Sequence, residues 1–244
     1  MSQPPLGLLP NAGIRLDATP VASLDDAQAQ GLAFVLGREE GALGLWQASS
    51  RHPLIIDFVS GQLGYRLAQG RARQEVLVRA CLGSRSLTDA TLLDATAGLG
   101  RDSALLAASG FTVTSLERNQ VLHALLADAL LRAQSLPWQS RLTLMQADAC
   151  DYLADCAPFD VIYLDPMFAV HDSRAQVKKE LVWLRQLLGQ PAAGEDERLL
   201  TLARSKARRR VVVKRAAKAP SLAGVAPTAS VDGKAVRFDI YTPV

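Results

Sequence analysis

The sequence predicts a doubly wound α/β domain with a mostly parallel sheet, an antiparallel hairpin at its C-terminal end and a small β-rich extension at its N-terminus. From about residue 72, short apolar runs alternate with segments of helical periodicity, which is typical of strands and helices around a parallel sheet. The last two apolar runs flank Asp232-Gly233, a hairpin turn signal that predicts the antiparallel edge. Before about residue 66, glycine and proline interrupt short apolar runs, which favours short strands and hairpins.

Residues 1–66 are predicted to form the small β-rich domain and residues 67–244 the α/β domain. Apolar runs bounded by turn residues predict strands, and apolar residues at helical spacing predict helices. In the smaller domain, the strand candidates are residues 32–37, 42–47 and 54–59. In the larger domain, helices are predicted at residues 73–83, 102–110, 119–135, 150–156, 174–189 and 197–206. Its strands are predicted at residues 91–95, 111–117, 141–147, 160–164 and 209–215, with the hairpin at 228–231 and 236–241.

The composition is that of an ordinary globular protein, with 49% of the 244 residues hydrophobic. No apolar run approaches the roughly 18 residues that a membrane-spanning helix needs, and the first residues lack the charged and apolar regions of a signal peptide. We therefore predict a cytoplasmic protein without membrane contact. Its three cysteines, Cys81, Cys150 and Cys156, show no CxxC spacing, and the three histidines are not clustered. Buried thiols are expected and no metal site is predicted.

The positive charge of the chain is concentrated near its C-terminal end. The net charge is only +3, but the segment from Arg204 to Lys218 carries basic side chains and no acidic one. Such a field can attract nucleic acid or another polyanion. A solvated basic face explains the run equally well, so the segment alone does not decide between these interpretations.

A glycine-rich loop follows the first strand of the α/β domain. In a parallel sheet, ligands bind beyond the carboxyl ends of the strands, so the residues that follow each strand are candidates for the site. The loop contains Asp94, Gly98 and Gly100, and a helix begins near Asp102. Glycines let the backbone approach a ligand, and the helix offers its N-terminal dipole. The signal is weak by itself, because a tight turn would use the same glycines and because GLGRDS also resembles the dinucleotide fingerprint.

Acidic residues follow the second and third strands. Glu117 lies 23 positions after Asp94, and an acid at this strand end can accept both hydroxyl groups of a ribose. This role fits a nicotinamide dinucleotide and S-adenosylmethionine equally well. Asp148 can meet an adenine amino group, cap the following helix, or do both.

The fourth strand ends in Leu-Asp-Pro-Met-Phe, residues 164–168. One interpretation is structural: the strand stops at a proline, the aspartate caps a helix and the phenylalanine joins the core. The other is chemical, because the Asp165 carboxylate and the Pro166 carbonyl can accept both hydrogens of a planar amine while Phe168 stacks on its ring. Hydride transfer gives no reason for this trio. Together with the loop and Glu117, it favours methyl transfer to the amine of a base that has left its stack.

Six motifs occur in a fixed order over about residues 85–244, namely DATAGLGRD, LERN, YLDPMF, VKKE, RVVVKR and RFDIY. As an ordered set they resemble the ribosomal RNA small subunit methyltransferase J family. The first part of the chain resembles that family more loosely, through DFVSGQLGYR and the Gly-Arg at 70 and 71. The resemblance implies a class I, Rossmann-like methyltransferase that uses S-adenosylmethionine. It also implies that the product is N2-methylguanosine at guanosine 1516 of 16S rRNA in the small ribosomal subunit.

The same resemblance implies the residues that contact the cofactor. By matching motifs they are Arg101, Asp102, Glu117, Arg118, Asp148, Ala149 and Asp165. This chain departs from the family pattern at Asp148-Ala149, where serines are expected, and around residue 70, where the family is richer in glycine. Compared with the broader amino-methyltransferase pattern, Met167 replaces a proline and Thr96 replaces the first glycine of the loop.

An RNA substrate requires contacts to phosphate groups, which basic side chains supply. The candidates are Lys178, Lys179, Arg208, Arg209, Lys214 and Arg215. For the first two, a solvated helix face is the alternative interpretation.

Other functions stay open on the sequence alone. The same chemistry could act on DNA adenine, another RNA or a protein glutamine, because the motif recognises a planar amine rather than the molecule that carries it. A binding or ribosome-assembly factor would keep the fold, but the intact trio of Asp165, Pro166 and Phe168 argues against it. A nicotinamide-dependent oxidoreductase is suggested by GLGRDS. The oligomeric state does not follow from the sequence.

Overall fold

The computed structural model describes residues 4–68, 72–83, 90–166, 179–189 and 192–244. Phe168 and Lys178, two of the predicted site residues, lie outside this part of the chain, and Lys179 is the first residue of a helix. The strands are β1 (Leu6–Leu8), β2 (Thr19–Pro20), β3 (Phe34–Glu39), β4 (Ala42–Gln47), β5 (Leu54–Ile55), β6 (Thr91–Asp94), β7 (Thr112–Leu116), β8 (Leu142–Met145), β9 (Phe159–Leu164), β10 (Ala207–Ala216), β11 (Ala229–Asp232) and β12 (Val236–Tyr241). The α-helices are α1 (Leu24–Ala29), α2 (Gly61–Ala68), α3 (Val76–Leu82), α4 (Arg101–Ser109), α5 (Gln120–Arg132), α6 (Ala149–Asp155), α7 (Lys179–Leu188) and α8 (Glu195–Lys206).

The chain divides into two compact units, each composed of three segments. The first comprises Met1–Ile56, Asn119–Leu131 and Phe168–Pro191, and the second comprises Asp57–Arg118, Arg132–Met167 and Ala192–Val244. Each unit therefore draws on distant parts of the sequence. The domain boundary between residues 66 and 67 stays a prediction.

The described residues of the first unit form a five-stranded sheet in the order β2-β1-β3-β4-β5. β1 is parallel to β2 and β3, whereas β4 is antiparallel to β3 and β5. β3 and β4 are joined by a tight turn in which Glu40 and Gly41 have φ angles of 50° and 84°, a conformation whose twist suits a hairpin. The sheet forms the small β-rich part that the sequence predicts. Its core includes four buried side chains, Val21, Ala27, Val35 and Trp46.

The described residues of the second unit form a seven-stranded sheet in the order β11-β12-β10-β9-β6-β7-β8. In the part of the sheet with the order β10-β9-β6-β7-β8, each strand is parallel to its neighbours, whereas β12 is antiparallel to both β10 and β11. The three valines at 211–213 in β10 are fully buried, as is typical of a parallel strand enclosed on both faces. The predicted α/β fold with an antiparallel C-terminal hairpin is confirmed.

The site candidates lie where the order of the strands reverses. From β6 the chain proceeds outward through β7 to β8 and then returns to β9 on the other side of β6. Loops that leave β6 and β9 therefore run in opposite directions and open a crevice at the carboxyl ends of these strands. β6 ends at Asp94 and β9 ends at Leu164, so the glycine loop and Asp165-Pro166 both begin at this crevice.

Most predicted elements agree with the structure to within about three residues. The run at 54–59 differs, because only Leu54 and Ile55 form a strand. The Asp57 carboxylate accepts hydrogen bonds from the backbone N–H groups of Val59 and Ser60, at 2.8 and 3.1 Å. These bonds turn the chain and end the extended conformation despite the apolar residues that follow.

In the described ranges, no helix is long and apolar enough to cross a membrane. The same residues contain no group of three or more His, Cys, Asp or Glu side chains that could hold a metal ion. Cys81 and Cys150 are buried and Cys156 is half-buried, all as free thiols.

Candidate active site

A buried carboxylate, that of Asp94, stabilises the loop after β6. Asp94 is 1% exposed, and its oxygens accept hydrogen bonds from Ser103 Oγ and from the backbone N–H of Thr96. Burial raises the pKa of this carboxyl to about 7, because the charged form loses its hydration. Asp94 therefore stabilises the shape of the loop, and its direct contact with a cofactor stays a prediction.

Replacing Asp94 with asparagine is expected to flatten the dependence of stability on pH. The folded-state pKa of about 7 lies above the ordinary value near 3.9, so between these pH values the folded chain holds a proton that the unfolded chain releases. The contribution of this group to stability therefore falls from about pH 4 to about pH 7, by on the order of 4 kcal/mol, and then stays constant. The asparagine variant lacks this decline.

Urea unfolding of the two proteins between about pH 5 and pH 8 measures the difference. Parallel stability curves would contradict the assignment. A Ser103→Ala variant should change the stability curve in the opposite direction. The Ser103 hydroxyl lowers the pKa of Asp94, so without it the decline of stability with pH should extend to higher pH.

Two glycines determine the path of the loop above Asp94. Gly98 and Gly100 have φ angles of 53° and 68°, in a region that residues with a Cβ rarely adopt. A Cβ at Gly98 would meet only the carbonyl oxygen of Thr96, at 4.0 Å, so the backbone is open on this side. Gly100 precedes α4, whose first residues are Arg101 and Asp102.

The acid at the end of β7 reaches this loop. Glu117 is 6% exposed, and its Oε2 accepts a hydrogen bond from the backbone N–H of Gly98 at 2.9 Å. The backbone N–H of Glu117 donates to the carbonyl oxygen of Met145 at 3.1 Å, which joins the ends of β7 and β8. The structure thus brings the predicted ribose acceptor and the glycine loop together.

A polar cluster lies at the start of α6, whose first residue is Ala149. Asp148 caps this helix by accepting hydrogen bonds from two backbone N–H groups of its first turn, at 2.9 and 3.4 Å. Arg118 donates to the carboxylates of Asp148, at 3.4 Å, and Glu195, at 2.5 Å. Glu195 was not among the predicted site residues. It holds Arg118 near the strand ends although 47% of the Arg118 side chain is exposed.

Asp165, the residue after β9, belongs to a cluster of polar side chains. Lys214 Nζ lies between two carboxylates, 2.9 Å from Asp165 Oδ2 and 2.7 Å from Asp102 Oδ2. The Tyr163 hydroxyl donates to the same Asp102 oxygen at 2.6 Å. The backbone N–H of Asp165 donates to Thr96 Oγ1 at 2.6 Å, which connects the end of β9 to the glycine loop.

One carboxylate oxygen of Asp165 stays available. Oδ2 accepts from Lys214, whereas Oδ1 makes no hydrogen bond to the described part of the chain, and 36% of the side chain is exposed. Loss of hydration raises the pKa of Asp165, while the charge of Lys214 opposes that rise. Burial alone would lower the pKa of Lys214, but its two carboxylate partners outweigh burial and raise it. Lys214 is therefore a permanent cation at neutral pH.

The register of the sheet explains why Lys214 reaches Asp165. In the parallel pairing of β9 and β10, Leu164 lies opposite Val213. The residues that follow these two, Asp165 and Lys214, are therefore neighbours. From the sequence, Lys214 is predicted to contact RNA phosphates, but its ammonium instead bridges two carboxylates within the site. Lys214 lies inside β10, before its end at Ala216, so a search of the residues that follow each strand does not find it.

The other basic residues of β10 differ from one another in burial and in hydrogen-bond partners. Arg215 is 5% exposed, and its Nε donates to the Pro220 carbonyl at 2.9 Å, so its burial argues against a surface contact with RNA in this conformation. Arg209 pairs with Asp160 at 3.3 Å. Arg208 is exposed and fits the predicted phosphate contact best of the three.

Comparison with known proteins identifies the family. A family model described as a SAM-dependent methyltransferase matches residues 19–243. Ribosomal RNA small subunit methyltransferase J from Alcanivorax borkumensis is 45% identical over 240 residues, which cover 97% of this chain and 95% of that protein. The chain belongs to the ribosomal RNA small subunit methyltransferase J family. The family member from Marinobacter nauticus is 40% identical over 88% of this chain and 79% of its own length.

A solved structure supports the fold of this methyltransferase. A SAM-dependent methyltransferase from Neisseria gonorrhoeae has a TM-score of 0.70 and 29% sequence identity, and the match covers 98% of this chain and 95% of that one. The predicted fold class and the predicted family are both confirmed. The enzyme is a methyltransferase that depends on S-adenosylmethionine, and the nicotinamide alternative is wrong.

The residues at the crevice fit this cofactor. S-adenosylmethionine contains a ribose with two hydroxyl groups, and the buried Glu117 carboxylate lies beside the open backbone of Gly98. A carboxylate is the acceptor that paired hydroxyl groups require. The hydrogen bond from the backbone N–H of Asp165 to Thr96 joins the glycine loop directly to the end of β9, so the two parts of the crevice adjoin.

Proposed function

We propose that this enzyme transfers a methyl group from S-adenosylmethionine to N2 of a guanosine in 16S rRNA, at guanosine 1516 of the small ribosomal subunit. The observation that carries the proposal is the pair of acceptors after β9, the open Oδ1 of Asp165 and the carbonyl of Pro166. The name of the relatives supports small-subunit rRNA as the substrate. The resemblance of the motifs to that family supports guanosine N2 as the acceptor.

Asp165 and Pro166 make the guanine amine, which is a weak nucleophile, reactive by holding it in position. The lone pair of the guanine amine is delocalised into the ring, so the amine must be held and turned before it reacts. Asp165 Oδ1 and the Pro166 carbonyl accept its two N–H groups, and Phe168 stacks on the base after it leaves the RNA stack. When bound, S-adenosylmethionine supplies an electrophilic sulfonium methyl group. Asp165 then receives the proton that the methylated nitrogen releases, and alignment of the amine contributes most of the rate.

Lys214 acts through Asp165 and does not touch the amine. Its ammonium holds Asp165 Oδ2 at 2.9 Å and Asp102 Oδ2 at 2.7 Å, which keeps the Asp165 carboxylate oriented and ionised. Tyr163 fixes Asp102 from the other side. Lys214 is therefore a positioning residue.

The cofactor is assigned to the groups around the glycine loop. Glu117 accepts the ribose hydroxyl groups, and the backbone at Gly98 and Gly100 approaches the rest of the molecule. The remaining contacts are assigned, through the matching motifs, to Arg101, Asp102, Arg118, Asp148 and Ala149.

A Glu117→Ala variant is expected to bind S-adenosylmethionine roughly 10- to 100-fold more weakly, because hydrogen bonds to a charged group contribute about 1.5–3 kcal/mol. Calorimetry with the cofactor measures the change, and thermal melting detects any loss of fold from the missing bond to Gly98. Glu197→Ala, an exposed residue on α8, is the matched control. Unchanged affinity in the Glu117 variant would refute its role.

Phosphate contacts are assigned to Arg208, Arg209 and the lysines at 178 and 179. Their replacement should weaken RNA binding and reduce its dependence on salt without changing the chemical step.

The decisive experiment follows methyl transfer to RNA and locates the product. Purified enzyme and labelled S-adenosylmethionine are incubated with small-subunit RNA and with small subunits from a strain that lacks the gene. Mass spectrometry should find N2-methylguanosine at the predicted position, and complementation should restore it in the strain. Labelling of DNA adenine, another RNA or a protein amide, with small-subunit RNA unlabelled, would overturn the proposal.

A further inference from the structure

A cavity of about 420 Å³ lies beside the C-terminal end of α4. The opposite end of this helix carries Arg101 and Asp102 of the candidate active site. α4 has nine residues and is therefore about 13 Å long at 1.5 Å per residue. Methyl transfer as proposed above makes no use of this cavity.

Two arginines line the cavity at the carbonyl end of the helix. Arg73 Nε donates to the Ser109 carbonyl at 3.1 Å, and Arg141 Nη1 donates to the Gly110 carbonyl at 3.4 Å. Each bond uses one of the five N–H groups of a guanidinium. No carboxylate lies among the described residues that line the cavity. The two cations are therefore held in place by the backbone and still have donors for an anion.

A tryptophan of the same wall has a donor without an acceptor. Trp138 is 6% exposed, and its Nε1 has no hydrogen-bond partner among the described residues. Its ring packs edge-on against Phe58, with the ring centroids 5.6 Å apart, so the indole is held rigidly. A buried tryptophan N–H usually has a partner; this nitrogen is covered in the structure, so a ligand oxygen becomes its acceptor when the side chains over it move apart.

Part of the remaining wall comes from the motif DFVSGQLGYR, residues 57–66. Val59 and Gly64 from this motif and the following Leu67 line the cavity. Gly64 packs so closely on the Val59 carbonyl that a Cβ would overlap it, so this position requires glycine. The motif belongs to the N-terminal part of the family resemblance, for which the methyl-transfer site supplies no role.

We propose that the cavity binds one nucleotide of the RNA substrate, in a single-stranded segment a few positions from the target guanosine. The apolar wall receives the base, the indole N–H donates to one of its oxygens or to the ribose, and the two guanidiniums bind the phosphate. A volume of about 420 Å³ lies within the range of small-molecule sites. That the nucleotide belongs to the methylated RNA rests on the proposed function, whereas nucleotide binding does not.

Nuclear magnetic resonance of the ¹⁵N-labelled indole groups tests the cavity directly in the full chain. The chain has three tryptophans, and a Trp138→Phe variant identifies the Trp138 signal. Ribonucleoside 5′-monophosphates are expected to shift this signal and leave the other two in place. A double Arg73→Gln, Arg141→Gln variant should need about tenfold more nucleotide for the same shift. Arg79→Gln, at an exposed position on α3 outside the cavity, should titrate like the wild type.

Two outcomes would overturn the proposal. One is a shift that inorganic phosphate alone reproduces at the same concentration, which would make the cavity a simple anion site. The other is equal titration of the wild type and the double arginine variant. With small-subunit RNA, the double variant is expected to raise KM about tenfold while kcat and the affinity for S-adenosylmethionine stay unchanged. A wild-type enzyme that binds nucleotides but methylates no small-subunit RNA would refute the proposed function alone.

Discussion

An Asp165→Asn variant is expected to methylate small-subunit RNA roughly 100- to 1,000-fold more slowly in single-turnover experiments. Asparagine has the size of aspartate, but its amide cannot receive a proton and cannot form the ion pair with Lys214 that the structure shows. Affinity for S-adenosylmethionine should change far less, because Glu117 and the glycine loop keep their hydrogen bond. Quenched-flow kinetics with pre-bound cofactor and calorimetry measure the two quantities.

The matched control for this variant is Asp155→Asn, at an exposed position on α6. It removes one carboxylate from the same unit without altering the crevice, and it should react at the wild-type rate. A wild-type rate in the Asp165 variant would show that the carboxylate is not required. An equal loss in both variants would show that the effect is one of net charge.

A Lys214→Met variant is expected to move the acid limb of the pH–rate profile to higher pH. Lys214 lowers the pKa of Asp165, whereas burial and Asp102 raise it. Without the ammonium the pKa of the Asp165 carboxyl rises further, so the ionised form that accepts the amine hydrogens is reached only at a higher pH than in the wild type. Activity on the acid side of the profile should therefore fall, and it should recover partly as the pH rises.

The same variant should also be less stable at neutral pH, by about 1–3 kcal/mol. Two carboxylates then face each other without their shared cation, although partial exposure of all three side chains limits the effect. Urea unfolding measures the loss, and it should shrink as the pH falls and a carboxylate takes up a proton. Lys214→Arg, which keeps the charge, should retain most of the activity and an unshifted profile. An unshifted profile in the methionine variant would exclude a positioning role through Asp165.

The local pattern of residues was sufficient to predict the α/β unit. Alternating apolar runs and amphipathic helices reflect burial, and burial depends on the period of each segment rather than on its partners. For the same reason the loop at Gly98 and Gly100, the acid Glu117 and the aspartate Asp165 could be assigned to strand ends from the order of residues alone. Only their shared edge had to be assumed, because parallel strands end on one side of a sheet.

Tertiary structure alone decided the partners of these residues. Lys214 lies 49 positions from Asp165 along the chain, and only the pairing of Leu164 with Val213 makes them neighbours. A basic residue in a basic segment is naturally interpreted as a phosphate contact, because the sequence shows the charge of a side chain but not which carboxylate it pairs with. The cavity beside Trp138 also depends on tertiary structure, because its two arginines, Arg73 and Arg141, are far apart in the sequence. The sequence by itself determined the fold class, the strand-end groups and the family, because these depend on local order. The structure decided which charges neutralise one another and which donors stay free, because those properties depend on contacts between distant segments.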